Sequence, residues 1–383
     1  MADQTDRQPA PSPPRTADVL GVPALAPARV TGAINRLRAG LARLSRATAP
    51  PPVRILEGLL GVLDLAALVA LCRAGVPEQL TGPVPVEALA GDLDVDAERL
   101  RRLLGYAATR GWVRLDRAGR VRPTRTTAFL RADHPGGWRA WVEFMGGPEI
   151  LAALGRLDAG LRPGGDPFAT AAGAGFFDRM SAHPDRHATF DAAMAAGARM
   201  HGLVLAGSLD WSSSRRVCDV GGGTGSLLIA LLGLQPHLEG VLLELPEVTN
   251  RAPAVAGLTV MGGDAFDAVP AGCDTYLLVN VLHDWSDHDA TRLLQTVATA
   301  MADTNEIATQ PRAIIVEGRT HQRARDDLSI RTDLLMFTLT AGGRERTTDE
   351  FAALAASAGL HLQRSILLPS GAVAHVLHPA TTP

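Results

Sequence analysis

The residues best placed to do chemistry lie at 217–225, VCDVGGGTG, where a short apolar run meets an acid, Asp219, and then a turn built almost wholly of glycine. Gly221, Gly223 and their neighbours tolerate positive φ and carry no side chain to hold off a ligand. The apolar run 227–234 beyond them predicts a helix opening from the turn, the head of a doubly wound α/β unit with a nucleotide-like ligand against its backbone. A dinucleotide fingerprint would read G-x-G-x-x-G, whereas this turn reads Gly221, Gly222, Gly223, Thr224, Gly225, with Asp219 two places ahead. A carboxylate there repels a pyrophosphate and suits an ammonium group. Charge therefore favours S-adenosylmethionine over NAD as the cofactor.

Downstream, polar residues stand near the C-terminal ends of successive strand-like runs, where open α/β sheets bind ligands. The run 241–243 ends in Glu244, at the distance where an acid takes ribose hydroxyls, and 258–261 leads to Asp264 and Phe266, a carboxylate for an adenine amine beside an aromatic face. The run 275–282 ends in His283, Asp284 and Trp285, and 313–316 ends in Glu317. Taken singly, each acid reads as a helix N-cap or a solvated loop charge. Their recurrence in chain order behind one glycine turn is hard to obtain from surface decoration.

With DVGGGTG at 219–225, LELP at 243–246, GDAF at 263–266, NVLHDW at 280–285, VEG at 316–318 and GGRERT at 342–347, the chain resembles the S-adenosylmethionine-dependent O-methyltransferases of the caffeic-acid and bacterial polyketide type. The resemblance implies transfer of the sulfonium methyl to a substrate hydroxyl, with His283 as base, Glu317 and Glu345 holding its ring, and Asp284 as a supporting neighbour. It also implies a cofactor contact at Asn280, an acceptor pocket lined by Phe190 and Met194 from FDAAM and Met336 from DLLMF, and a homodimer. The physics agrees with the base: a phenol of pKa about 10 needs a base near 7, and a carboxylate on the far ring nitrogen fixes the tautomer and stabilises the imidazolium. No further cluster of His and carboxylates at ligand spacing appears, so no metal is expected.

These residues need a scaffold, and 383 residues exceed one typical core. Residues 1–50 read as a tail, proline-rich and disordered to about 29, then an amphipathic helix with Val30, Ile34, Leu37, Leu41 and Leu44 at helical spacing. Residues 51–135 give helix, helix and β-ribbon, a winged-helix pattern that the resemblance makes the dimerisation domain. Residues 136–205 are a helical linker lining the acceptor pocket. Residues 206–383 are the cofactor-binding domain, Rossmann-like with a mixed sheet, because the strand-like runs 361–368 and 372–378 flank a three-residue turn and imply a hairpin with an antiparallel last strand.

A net charge of −3 and a pI near 6.4 argue against general nucleic-acid binding. Every one of the 37 basic residues counted is arginine. Cys72, Cys218 and Cys273 show neither metal nor disulfide spacing, which suits a cytoplasmic protein, and the longest apolar run, 55–71, is broken by Glu57 and Asp64, so no membrane span is expected. Two other readings stay open. One keeps fold and cofactor but methylates carbon or nitrogen, or runs a non-methylating reaction such as hydroxylation or decarboxylation. The other is a winged-helix, metabolite-sensing DNA-binding regulator, for which residues 84–131 supply ten arginines against six acids.

Overall fold

The computed structural model describes residues 26–303, 310–320 and 328–380. The expected disordered tail therefore lies largely outside the described residues. From Ala28 the amphipathic helix forms over Ala28–Thr48, and its apolar stripe of Val30, Ile34, Leu37, Leu41 and Leu44 is 47–63 % exposed.

Strands β1 (Val84–Pro85), β2 (Val113–Leu115) and β3 (Arg120–Pro123) form a small antiparallel sheet in the order β1-β3-β2 beside the helices Val86–Asp92 and Ala97–Thr109. Asp96 starts the second helix by accepting the Arg99 N–H at 2.8 Å, satisfying a donor the helix end leaves over. Leu71, Leu89, Leu100, Leu104, Val113 and Val121 close a core between helices and ribbon. Helices and an antiparallel β-ribbon thus lie side by side in this stretch. Pro51–Arg73, in two helices Pro51–Leu60 and Val62–Arg73, is long and apolar enough by composition to cross a bilayer, and 17 % of an 18-residue window within it is buried. Asp64 inside it is tied to the small domain, accepting from Tyr106 Oη at 2.8 Å and pairing with Arg110 at 2.6 Å.

The large sheet comprises β4 (Arg216–Val220), β5 (Glu239–Glu244), β6 (Leu258–Gly262), β7 (Thr275–Val279), β8 (Arg312–Glu317), β9 (Leu360–Leu367) and β10 (Val373–Pro379), in the order β6-β5-β4-β7-β8-β10-β9. Strands β4 to β8 pair in parallel, and β10 runs antiparallel between β8 and β9. Near-continuous apolar runs such as TYLLV and AIIV suit parallel strands covered on both faces. Period-two alternation sorts the side chains. Cys218, Val220, Tyr276, Leu278 and Ile315 meet Leu293, Leu294 and Val297 of the helix Asp287–Ala302 and Phe351 of Thr348–Ser357. On the other face Val217, Leu277, Ile314 and Val316 meet Leu227, Leu228 and Leu231 of the helix Ser226–Leu234 and Leu205 at the end of the helix Pro184–Ser208.

Chain order reverses beside β4, so β5 and β7 leave it in opposite directions and open a crevice at the strands' C-terminal ends. The run expected over 275–282 stops at Val279. Asn280 takes φ 54°, an uncommon left-handed conformation for a non-glycine, and the chain turns into a single 3-10 turn, Leu282–Asp284.

Close packing of Pro184–Ser208 on Ser226–Leu234 depends on Gly202, where a Cβ would lie 2.3 Å from Leu227 O and 3.0 Å from Ala230 Cβ. Gly202→Ala is expected to destabilise the protein by about 1–3 kcal/mol through overpacking, despite a helix-propensity gain of up to ~1 kcal/mol. Denaturant unfolding measures this, and an unchanged or raised midpoint contradicts the packing.

Candidate active site

At the end of β4 the carboxylate of Asp219 is 1 % exposed and its Oδ2 has no hydrogen-bond partner. Burial, reinforced by the charge of Glu244, pushes its pKa up to about 7. Gly221, Gly223 and Gly225 follow at φ of 69°, 59° and 79°, conformations that strain any residue with a Cβ. Gly222 is small for another reason: a Cβ there would come 2.5 Å from Asp219 Oδ2 and 2.6 Å from Leu242 Cδ1. Glu244, ending β5, reaches back over the turn, its Oε2 accepting the Gly223 N–H at 2.9 Å and its Oε1 the Leu245 N–H at 2.8 Å.

Asp264 accepts the Phe266 N–H at 2.9 Å, a local turn bond that aims the segment after β6. The Phe266 ring stands edge-on to Trp285, centroids 4.7 Å apart at 83°, and Arg292 lies 5.3 Å from the Phe266 centroid. A buried acid without a partner, a backbone cradle that a Cβ would fill, an acid closing β5 and an aromatic edge after β6 together fit a nucleoside carrying an ammonium group.

Beyond β7 sits His283, in the middle of the 3-10 turn. Both glutamates approach the same ring nitrogen: Nδ1 lies 3.3 Å from Glu345 Oε1 and 3.4 Å from Glu317 Oε2. Asp284 lies on the other side, 3.7 Å from Nε2. Glu317, wholly buried at the end of β8, uses Oε1 to accept the backbone N–H groups of Val281, Leu282 and His283 at 3.1, 2.8 and 3.3 Å. One carboxylate thus caps the turn and holds the ring it carries. Burial alone would lower the His283 pKa, yet Glu317, then Asp284 and Glu345, outweigh it and raise it to about 10. Burial in turn pushes Glu317 up to about 7 and Asp284 to about 6, each offset in part by His283. His283, Glu317 and Glu345 also bring ligand atoms within 4.8 Å of one another, a spacing open to a cation as well as to ring orientation.

Phe190, Met194 and Met336 come together in one apolar cluster with Phe144, Phe176 and Leu339. Phe190 lies 5.5 Å from Phe144 and 5.3 Å from Phe176, and Phe177 of the same region stacks on Trp285 at 5.6 Å and 16°. Trp285 therefore touches the segment after β6 through Phe266 and this apolar cluster through Phe177. A cavity of about 620 Å³ lies elsewhere, between Arg139, Ala192, Ala195 and Arg199 and the small domain's Cys72 and Glu78, and includes none of these groups.

Two residues escaped the sequence reading. His201 stands seven residues beyond Met194 on the helix Pro184–Ser208, and its Nε2 is 3.4 Å from Asn280 Nδ2. Its Nδ1 has no partner, and burial, with the nearby charge of His283, pulls its pKa down to about 4. The helical spacing from Met194 was the available signal. Arg346 is fully buried beneath the His283 turn, and only its place in GGRERT marked it.

A parallel sheet whose β10 alone runs antiparallel, with a glycine turn against a buried acid at its switch point, defines a class I S-adenosylmethionine-dependent methyltransferase. Residues 155–361 match the model of the O-methyltransferase domain family, and the chain belongs to that family. It is 33 % identical over 323 residues to the mitomycin biosynthesis 6-O-methyltransferase of Streptomyces lavendulae, covering 82 % of this chain and 90 % of that one. It is 36 % identical over 312 residues to the aclacinomycin 10-hydroxylase RdmB of Streptomyces purpurascens, covering 79 % and 82 %. Among solved structures, CalO1, a methyltransferase in calicheamicin biosynthesis bound to SAH, superposes with a TM-score of 0.76 at 29 % identity, over 88 % of this chain and 99 % of that one.

The protein is thus an enzyme of this methyltransferase family with S-adenosylmethionine as its cofactor. Gly222→Ala, which drives a methyl against Asp219 and Leu242, is expected to weaken cofactor binding at least tenfold with little change in fold, by calorimetric titration. Parental affinity would show that the cradle has room the geometry denies.

Proposed function

We propose that this enzyme methylates a phenolic hydroxyl of a small aromatic secondary metabolite, with His283 as general base. The observation that carries the reading is the approach of Glu317 and Glu345 to Nδ1 of a single imidazole, which leaves Nε2, with Asp284 3.7 Å away, to meet an acceptor. When bound, S-adenosylmethionine supplies an electrophilic methyl. Asp219 and Glu244 would hold its ammonium and ribose, with Asp264, Phe266 and Asn280 beside them. Phe190, Met194 and Met336 form a flat, sulfur-containing wall suited to an aromatic ring.

As the acceptor oxygen becomes a nucleophile, Nε2 takes its proton, and the glutamates at Nδ1 stabilise the resulting imidazolium. That cation is neutralised where it forms, in a pocket where Glu317 is wholly buried. Loss of the proton must come first, because a His283 held near pKa 10 is charged at neutrality. A raised pKa means that the neutral, active imidazole grows with pH until the raised value is passed. The value of kcat/KM is expected to keep rising through pH 8, whereas levelling near 6.5, the ordinary histidine value, contradicts the assigned environment. His283→Ala should lower kcat by about 10²–10⁴, the usual worth of a general base, with cofactor affinity retained. Parental turnover in that variant removes the mechanism.

A second reading rests on the relative named as a hydroxylase, which keeps the same overall chain. Product mass separates the two, since methylation adds one methylene and hydroxylation one oxygen.

The exposed stripe on Ala28–Thr48 and the equally bare Ile55, Leu56, Leu59 and Leu60 are apolar surfaces that a soluble monomer rarely leaves open, and we assign them to a homodimer contact. Sedimentation is expected to give two copies for the parent and one for a Leu37→Glu, Leu41→Glu double variant. A monomeric parent ends the assignment.

A further inference from the structure

We propose that Arg346 is a positioning residue that fixes the direction of the His283 ring by clamping the carbonyl end of the turn that carries it; this rests on the reading of His283 as base. A single 3-10 turn cannot satisfy its own ends, and here Leu282 is buried and the residues around it are at most partly exposed. Glu317 Oε1 collects its N–H groups. At the opposite end Arg346 donates from Nη1 to Leu282 O at 2.7 Å, from Nη2 to Trp285 O at 2.8 Å and from Nε to Asp287 Oδ1 at 2.8 Å. His283 lies between the two carbonyls so held, and its own carbonyl accepts the Arg344 N–H at 2.8 Å.

The flanking chain is pressed close enough for this grip. At Gly343 a Cβ would come 2.0 Å from Thr340 Oγ1, 2.6 Å from His283 O and 2.9 Å from Asp284 O. Residues 343–346 therefore deliver, in order, a backbone without a side chain, an N–H for the His283 carbonyl, a carboxylate for the His283 ring and a guanidinium for the turn's end. Only the planar fork of arginine spans two carbonyls and a carboxylate at once, and it holds its charge at any working pH. A lysine would offer one compact ammonium in its place. The acids raise the proton affinity of His283, whereas the guanidinium's hydrogen bonds go to the turn's carbonyls and to Asp287 and not to the ring.

Misplacing a catalytic group by about 1 Å costs on the order of 10²-fold. Arg346→Met in the full-length enzyme is expected to lower kcat by about that factor and Arg346→Lys by less. Cofactor Kd by calorimetry should stay within about threefold, and the midpoint of the pH–kcat profile should not move, as expected of a ring misdirected but titrating normally. Parental kcat in folded Arg346→Met overturns the proposal, as does a shifted midpoint at parental height, which would make the role electrostatic. A loss in cofactor affinity matching the loss in kcat overturns it as well.

Should Arg346→Met fail to fold, Asp287→Ala removes the half-exposed carboxylate that holds Nε and also pairs with Arg344 at 3.5 Å. It is expected to lose kcat several-fold at unchanged melting temperature, and full kcat counts against the clamp. His283→Ala assayed alongside keeps the failures apart: an active His283→Ala removes the base itself, whereas an inactive one beside a parental Arg346→Met removes only the clamp.

Discussion

Two carboxylates converge on one nitrogen of a buried imidazole, and an arrangement this dense in negative charge survives only if every acid is partnered. Removing ions from water costs several kcal/mol each before any attraction is recovered. Glu317 answers with three backbone N–H groups on Oε1 and the ring at Oε2, and Glu345 has the ring as its side-chain partner. The ring's own proton affinity is raised by these acids in return. From that follows the need for the sheet: β8 delivers Glu317 beside β10, where it pairs with Val373, and the residue before it, Val316, pairs with Val279 of β7.

The same geometry joins the halves of the site. His283 follows β7, Asp219 ends the neighbouring β4, and the side chain of Val281 lies 3.1 Å from where a Cβ at Gly221 would stand. Glycine is required there both by its left-handed φ of 69° and by this approach. The turn that carries His283 thus packs on the cradle, and Trp285, two residues further on, joins the aromatic edge after β6 to the helical cluster through Phe177.

Much of this was legible because parallel strands announce themselves as apolar runs and the polar residue at each end is where such sheets bind ligands. Asp219, Glu244, His283 and Glu317 all fall at or just past strand ends, and the antiparallel β10 was foreshadowed by the short turn at 369–371. The end of β7 was not, because nothing local tells a continuing strand from an asparagine about to adopt positive φ. Arg346 and His201 were hidden for a deeper reason. Their contacts, Leu282 and Trp285 for one and Asn280 for the other, lie more than fifty residues away in sequence, and periodicity carries no information at that range. Glu244 was legible as an acid near the cradle, but not as the group that braces Gly223.

His283 and its two acids hang from the sheet and the segment behind it, whereas Phe190, Met194 and most of their apolar cluster belong to helices inserted before β4. Tool and socket are thereby built from different stretches of chain. On the proposed reading, remodelling the inserted helices would change which ring is admitted while leaving the proton-handling machinery untouched, so a scaffold of this kind could diversify its substrates by drift in one region without reinventing its chemistry in the other.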